Sequence, residues 1–138
     1  VFTTIDHVGV AVADLDEAVA WYRDHFGMEV VHEETNDEQG VREAMLRVSP
    51  DDTGPCVQLL APLGPDSPIA AFLDRKGPGL QQLAYRVDDV EAAAATLRER
   101  GMRMLYARAR RGTAGTLVNF VHPKDAGGVL VELVSGPH

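Results

Sequence analysis

Cysteine is nearly absent. Cys56 is the only one in 138 residues, which excludes an internal disulfide. It lies in "CVQLLAP" and reads as a small buried core residue rather than a nucleophile. Long apolar runs are missing too: none approaches the roughly 20 residues that cross a bilayer, so no membrane partner is expected. No charged-then-apolar stretch resembles a secretory leader, and the expectation is a cytoplasmic protein. Basic excess is missing as well. The net charge of −8 argues against non-specific nucleic-acid binding, because phosphate backbones need basic faces. There is no Gly-rich phosphate loop of the P-loop or dinucleotide type, and no serine or cysteine in a nucleophile-elbow context.

What remains is an ordinary globular composition, 45% hydrophobic and 25% charged, at a length that suits one domain or two small halves. The chain repeats itself. "HVGVAVADLDEAVAWYRDHFGMEVV" from His7 matches "QLAYRVDDVEAAAATLRERGMRML" from Gln82, and "VQLLA" from Val57 matches "VELVS" from Val131. The offset of about 75 residues divides the chain into halves at about 1–62 and 79–138, joined by a short helix at about 67–75.

Each half reads as strand, helix, then three strands. The first strands are expected at Thr4–Val12 and Leu80–Val87. The first helix carries Leu15, Ala18, Val19, Tyr22 and Phe26 at helical spacing, with Asp14 and Glu17 as a capping box and Gly27 as its stop. The second starts near Asp89 and stops at Gly101. Later strands are expected at Met28–Glu34, Val41–Val48 and Cys56–Pro62, then at Met102–Ala107, Thr116–Val121 and Val129–Ser135. In "SPIAAFLD", Ser67 caps and Pro68 opens the linking helix. The fold class is α+β: tandem βαβββ units forming a cupped, mostly antiparallel sheet. Val8, Val10 and Val12 face the first helix. His7, Gly9 and Ala11 face the other way and leave room for a ligand.

Four polar residues sit in otherwise apolar strands at duplicated positions: His7 and Gln82 in the first strands, Gln58 and Glu132 in the last. Burying them is costly unless each finds a partner. A divalent cation satisfies all four at once, and one nitrogen with three oxygens favours Mn²⁺, Co²⁺ or Mg²⁺ over closed tetrahedral zinc. Glu43, in "QGVREAMLRV", is either a solvent-facing strand glutamate or a second carboxylate near the metal, placed for proton removal at carbon. His25, His32 and His122 read as exposed or loop histidines. "ARARRG" and Lys124 form a basic cluster, either a solvated loop or a contact for an anionic small molecule.

"IDHVGVAV", "NDEQGVREAML", "VQLLAP", "GPGLQQLAYRVDD", "RERG" and "NFVHPKDAGGVLVELV" closely resemble the methylmalonyl-CoA epimerases of the vicinal oxygen chelate superfamily, nearly end to end. That resemblance implies interconversion of (2R)- and (2S)-methylmalonyl-CoA. It implies metal ligands at His7, Gln58, Gln82 and Glu132, and acid/base carboxylates at Glu43 and Glu132. It implies a divalent ion, cobalt first, with Mn²⁺, Mg²⁺, Ni²⁺ or Zn²⁺ as alternatives, an acyl-CoA partner and a homodimer. Arg108, Arg110, Arg111 and Lys124 become candidate contacts for coenzyme A phosphates. Two departures stand out: Gln82 occupies a position where many relatives carry histidine, and Leu117 one where others carry a basic residue. The competing readings are a metal-free sequestration protein on the same fold and another superfamily enzyme, a glyoxalase-type isomerase above all.

Overall fold

The structure, a computed structural model, describes residues 1–137. Eight strands and three helices follow one another in the expected order. They are β1 (Thr4–Ala11), α1 (Leu15–Phe26), β2 (Glu29–Asn36), β3 (Val41–Arg47), β4 (Cys56–Pro62), α2 (Pro68–Lys76), β5 (Gly79–Arg86), α3 (Val90–Glu99), β6 (Arg110–Arg111), β7 (Leu117–Val121) and β8 (Val131–Ser135). The helices start where short polar side chains can take an orphan amide. Asp14 accepts from the Glu17 N–H, Ser67 from Ile69 and Asp89 from Ala92. Gly27, with φ of 70°, ends α1 in the left-handed region that glycine enters without a Cβ penalty.

The described residues gather into two compact units, Val8–Gln81 and Val1–His7 with residues 82–137. In the first, strand order is β2-β3-β4-β1. β2 pairs antiparallel with β3, and β3 with β4. One face of this sheet meets α1: Leu15, Ala18, Val19 and Tyr22 pack with Val10, Val12, Ala44, Leu46 and Leu59. The other meets α2, through Ile69 and Phe72 against Ala11, Val41 and Leu60. The face of Ala11 was expected to be roomy, but the linking helix covers it here. Ile69 and Phe72 need an apolar surface to bury against, and the small Ala11 side chain lets them approach.

In the other unit the order is β1-β5-β8-β7-β6. β5 and β8 run parallel, β7 pairs antiparallel with β8, and α3 packs through Val90, Ala93 and Leu97 onto Val87, Val121 and Leu133. Here the expected strand at Met102–Ala107 fails. It shrinks to one bridge, Met104 to Val121, and the regular strand lies beyond it, in the two residues of β6. The buried carboxamide of Asn119 takes over the pairing: its Oδ1 accepts from the Tyr106 N–H at 3.1 Å and its Nδ2 donates to the Tyr106 carbonyl at 3.0 Å. Cys56 is half-buried rather than a core residue, because it opens β4 at the strand's edge.

Candidate active site

In the unit containing β5 and β8, three polar side chains from three strands meet. His7 on β1, Gln82 on β5 and Glu132 on β8 are all buried. Glu132 stands opposite Ala84 in the parallel ladder, and Gln82 is two residues before Ala84 on the same face. His7 Nε2 lies 2.9 Å from Glu132 Oε1. Gln82 Nε2 lies 2.8 Å from the same oxygen and 3.2 Å from His7 Nε2. The second imidazole nitrogen, Nδ1, is 2.7 Å from the Asp6 carboxylate. Asp6 is itself bonded to Arg86 Nε at 3.1 Å, and Arg86 Nη1 donates to the Gly136 carbonyl at 2.8 Å.

The electrostatics follow from those distances. Burial opposes a charge on His7, but the Glu132 and Asp6 carboxylates on either side outweigh it and lift the imidazole to about 9. An imidazolium in that position donates Nδ1–H to Asp6 and Nε2–H to Glu132, which leaves its 3.2 Å approach to the Gln82 amide nitrogen, itself only a donor, without a hydrogen bond. Rotating the carboxamide does not cure this, because its oxygen would then face Glu132 Oε1. One proton cannot serve all three edges of the triangle.

A cation can. It takes a lone pair from the imidazole nitrogen, the rotated carboxamide oxygen and the carboxylate oxygen together. Neighbouring oxygens around an octahedral ion with bonds near 2.1 Å stand about 3 Å apart, which matches the 2.8–3.2 Å edges here. Asp6 on the far nitrogen supplies the outer partner that orients a metal-binding histidine. These residues therefore fit a divalent ion. Among the described residues no group of three or more His, Cys, Asp and Glu side chains is placed to hold a metal; a carboxamide completes this triangle.

The other two expected residues belong to the other unit and meet each other. Glu43 on β3 and Gln58 on β4 are buried, and Gln58 Nε2 donates to Glu43 Oε2 at 3.0 Å. They are diagonal neighbours, since Glu43 pairs with Leu60 and Gln58 with Met45. The solvent-facing alternative for Glu43 is thereby removed. A carboxylate 4% exposed, to which the Gln58 amide donates, is a buried group rather than a surface charge.

With this geometry described, comparison with known proteins becomes informative. Residues 6–120 match the model of the Glyoxalase/Bleomycin resistance protein/Dioxygenase superfamily. The chain is 40% identical over 130 residues to mitochondrial methylmalonyl-CoA epimerase of Mus musculus, a match covering 94% of this chain and 71% of that protein. It also superposes on the crystal structure of methylmalonyl-CoA epimerase from Mycobacterium tuberculosis with a TM-score of 0.93 at 58% identity, covering 99% of this chain and 90% of that one. The chain belongs to the methylmalonyl-CoA epimerase family. The α+β fold of tandem βαβββ units is that family's fold. A methylmalonyl-CoA epimerase solved in complex with methylmalonyl-CoA and NH4+ is similar as well, with 46% identity, a TM-score of 0.93 and coverage of 99% of this chain and 96% of that one.

Some parts of this epimerase-family site escape sequence reasoning. Asp6 and Arg86 are the clearest: strand alternation assigns Asp6 to the face opposite His7, although the adjacent side chains meet through Nδ1. The signal was present as an aspartate beside a histidine in an apolar strand. Of the remaining histidines, His25 is exposed, with Nδ1 near the Trp21 carbonyl, and the His122 Nδ1 accepts from the Lys124 N–H in a 3-10 turn. His32 is not a plain exposed residue. Its Nε2 lies 2.6 Å from Glu34 Oε1, and its side chain is 39% exposed. The basic loop is firmly held: Arg98 Nη2 donates to the Tyr106 and Ala107 carbonyls, Glu91 accepts from the Ala109 N–H, and the Arg110 guanidinium lies 3.9 Å over the Tyr106 ring.

Proposed function

We propose that the chain interconverts (2R)- and (2S)-methylmalonyl-CoA by two-base 1,1-proton transfer, with Glu43 and Glu132 as the acid/base pair. The observation that carries this is a buried Glu43 fixed by Gln58, in a chain whose relatives are named epimerases of this substrate. The proton to be moved sits on C2, between a thioester and a carboxylate. Its removal breaks the C2–H bond, forms an O–H bond on one glutamate and leaves an enolate. Return of a proton from the other glutamate to the opposite face of C2 inverts the centre, with no covalent intermediate and no redox change.

The set proposed to hold a divalent ion is His7, Gln58, Gln82 and Glu132, with cobalt as the first candidate and Mn²⁺, Mg²⁺, Ni²⁺ and Zn²⁺ as the others. Such an ion supplies positive charge that stabilises the negative charge developing on the enolate oxygen. The remaining work falls to the chain. Gln58 occupies one oxygen of Glu43 and so fixes the carboxylate's orientation. Apolar neighbours such as Leu60 and Met45 keep bulk water from competing as the proton source. With Glu132 among the residues that would hold the ion, Glu43 serves as the dedicated base.

Replacement of Glu43 by Gln tests the assignment. The variant is expected to bind metal at the wild-type stoichiometry while its incorporation of solvent deuterium at C2 drops by roughly 10²–10⁴-fold. Wild-type exchange in that variant would remove Glu43 from the reaction.

The coenzyme A phosphates are assigned to Arg108, Arg110, Arg111 and Lys124, the active species is taken as a homodimer, and the setting as the cytoplasm. The mouse relative is by its name mitochondrial. Sedimentation and cell fractionation measure the last two directly.

A further inference from the structure

Two-base epimerisation leaves a debt. After one turnover in which Glu43 takes the C2 proton, Glu43 holds a proton and Glu132 has lost one. The enzyme cannot take a second molecule of the same isomer until both are reset. Nothing assigned so far carries the proton from a buried Glu43 to water.

The β2–β3 ladder supplies a route. Glu34 pairs directly with Glu43, and His32 with Met45, which in turn pairs with Gln58. Partners directly opposite share a face of the sheet, with Cβ atoms about 5 Å apart. Glu34 and His32 therefore lie on the same face as Glu43 and Gln58. A β-bulge between Val30 and His32 makes this so. Val31 is the extra residue; were it paired with Met45 instead of bulged, the register would carry Glu33 opposite Glu43 and turn Glu34 away.

Two glutamates directly opposite on a half-buried face repel each other unless something compensates. His32 compensates, with Nε2 at 2.6 Å from Glu34 Oε1. Exposure rises along the series: Glu43 is buried, the Glu34 side chain is 19% exposed and that of His32 39%.

We propose that Glu34, positioned by His32, returns the proton of Glu43 to solvent between turnovers, so that the enzyme can run repeatedly on one isomer. The step balances simply. The Glu43 O–H bond breaks and an O–H bond forms on Glu34 at the oxygen His32 does not hold. That bond breaks in turn as the proton passes to water, and Glu132 regains a proton from solvent. No electrons are transferred. His32 is a positioning residue: its Nε2 holds one Glu34 oxygen and so fixes the carboxylate on the face it shares with Glu43.

This rests on Glu43 being the base, and the test separates the two. Metal-loaded enzyme is mixed with an excess of each methylmalonyl-CoA isomer in turn, and product is followed through the first turnover and into steady state. For Glu34→Gln, one equivalent of product is expected within about twofold of the wild-type rate, followed by a steady state slowed roughly tenfold or more, the size of a lost proton-transfer group. Formate, a small diffusible carboxylate, should restore the slow phase at least about threefold. His32→Gln should show the same pattern more weakly, and Glu34→Asp should retain most of the wild-type steady rate. A Glu34→Gln steady state equal to wild type would overturn the proposal. So would a slow phase with neither burst nor response to formate, which a merely structural defect would give. Unchanged deuterium exchange in Glu43→Gln would instead remove the base itself, and the relay with it.

Discussion

His7 carries its proton at neutral pH only because two carboxylates flank it, and that has a thermodynamic consequence in metal-free protein. Its folded value of about 9 stands above the ordinary 6.5. The stabilisation is therefore fully present below pH 6.5 and is lost as pH rises through about 9. Its size is on the order of a few kcal/mol. Chelator-treated protein should lose urea resistance between pH 6 and pH 10, and His7→Gln should lose much less over the same range. Equal pH dependence in the two proteins would contradict the charged imidazole. At this scale the sequence was informative wherever a polar residue interrupted an apolar strand: His7, Gln58, Gln82 and Glu132 could all be picked out that way, and each is buried. Glu43 could not be resolved by alternation alone, since a strand glutamate has a good reason to face water. Asp6 and Glu34 were passed over because their roles depend on one neighbouring contact and one bulge, neither of which leaves a periodic trace.

Among the elements, the helices were legible because their caps are chemical rather than statistical: Asp14, Ser67 and Asp89 each take an amide as expected. β4 matches its expected limits at Cys56 and Pro62, with Pro62 at the end of the strand, where a missing N–H costs little. The stretch from Met102 to Ala107 was misread for a physical reason. Its hydrophobicity suits a strand, but main-chain pairing is confined to Arg103 and Leu105 beside β7, and Tyr106 and Ala107 are held by side chains from α3 and β7 instead. Asn119 is wholly buried and also accepts from the Phe120 N–H at 2.8 Å. Truncation to Ala removes the partner of two backbone N–H groups, those of Tyr106 and Phe120, and leaves the Tyr106 carbonyl to Arg98. Each orphaned group costs about 1–3 kcal/mol, reduced where water can enter. Asn119→Ala is expected to destabilise by about 3 kcal/mol and to speed amide hydrogen exchange at Tyr106 before it does so in α1. Uniform loss of protection across the chain would mean that Asn119 is no local clamp.

For the whole molecule, the duplicated sequence divides the chain near its middle, whereas the compact units divide β1 between His7 and Val8. Each description records something different. The repeat records where similar βαβββ segments begin; the units record where the first strand spends its hydrogen bonds. The Thr3 N–H reaches the Arg86 carbonyl in one unit at 2.8 Å, and the Val12 N–H reaches the Leu60 carbonyl in the other, also at 2.8 Å. Periodicity gives strand positions but not partners, so the sharing of β1 was invisible in the sequence. Its consequence is cooperative unfolding. β1 runs through the boundary as one continuous strand with no linker between its halves, and a chain of this length is expected to unfold in a single transition. The protein contains a single tryptophan, Trp21, which lies in α1 of the Val8–Gln81 unit. Its fluorescence therefore reports that unit alone, while far-ultraviolet circular dichroism reports both. The two signals should follow one denaturant transition with the same midpoint and slope. A tryptophan transition clearly ahead of the dichroism would show that the Val8–Gln81 unit melts alone, and that a shared strand does not bind the two into one cooperative fold.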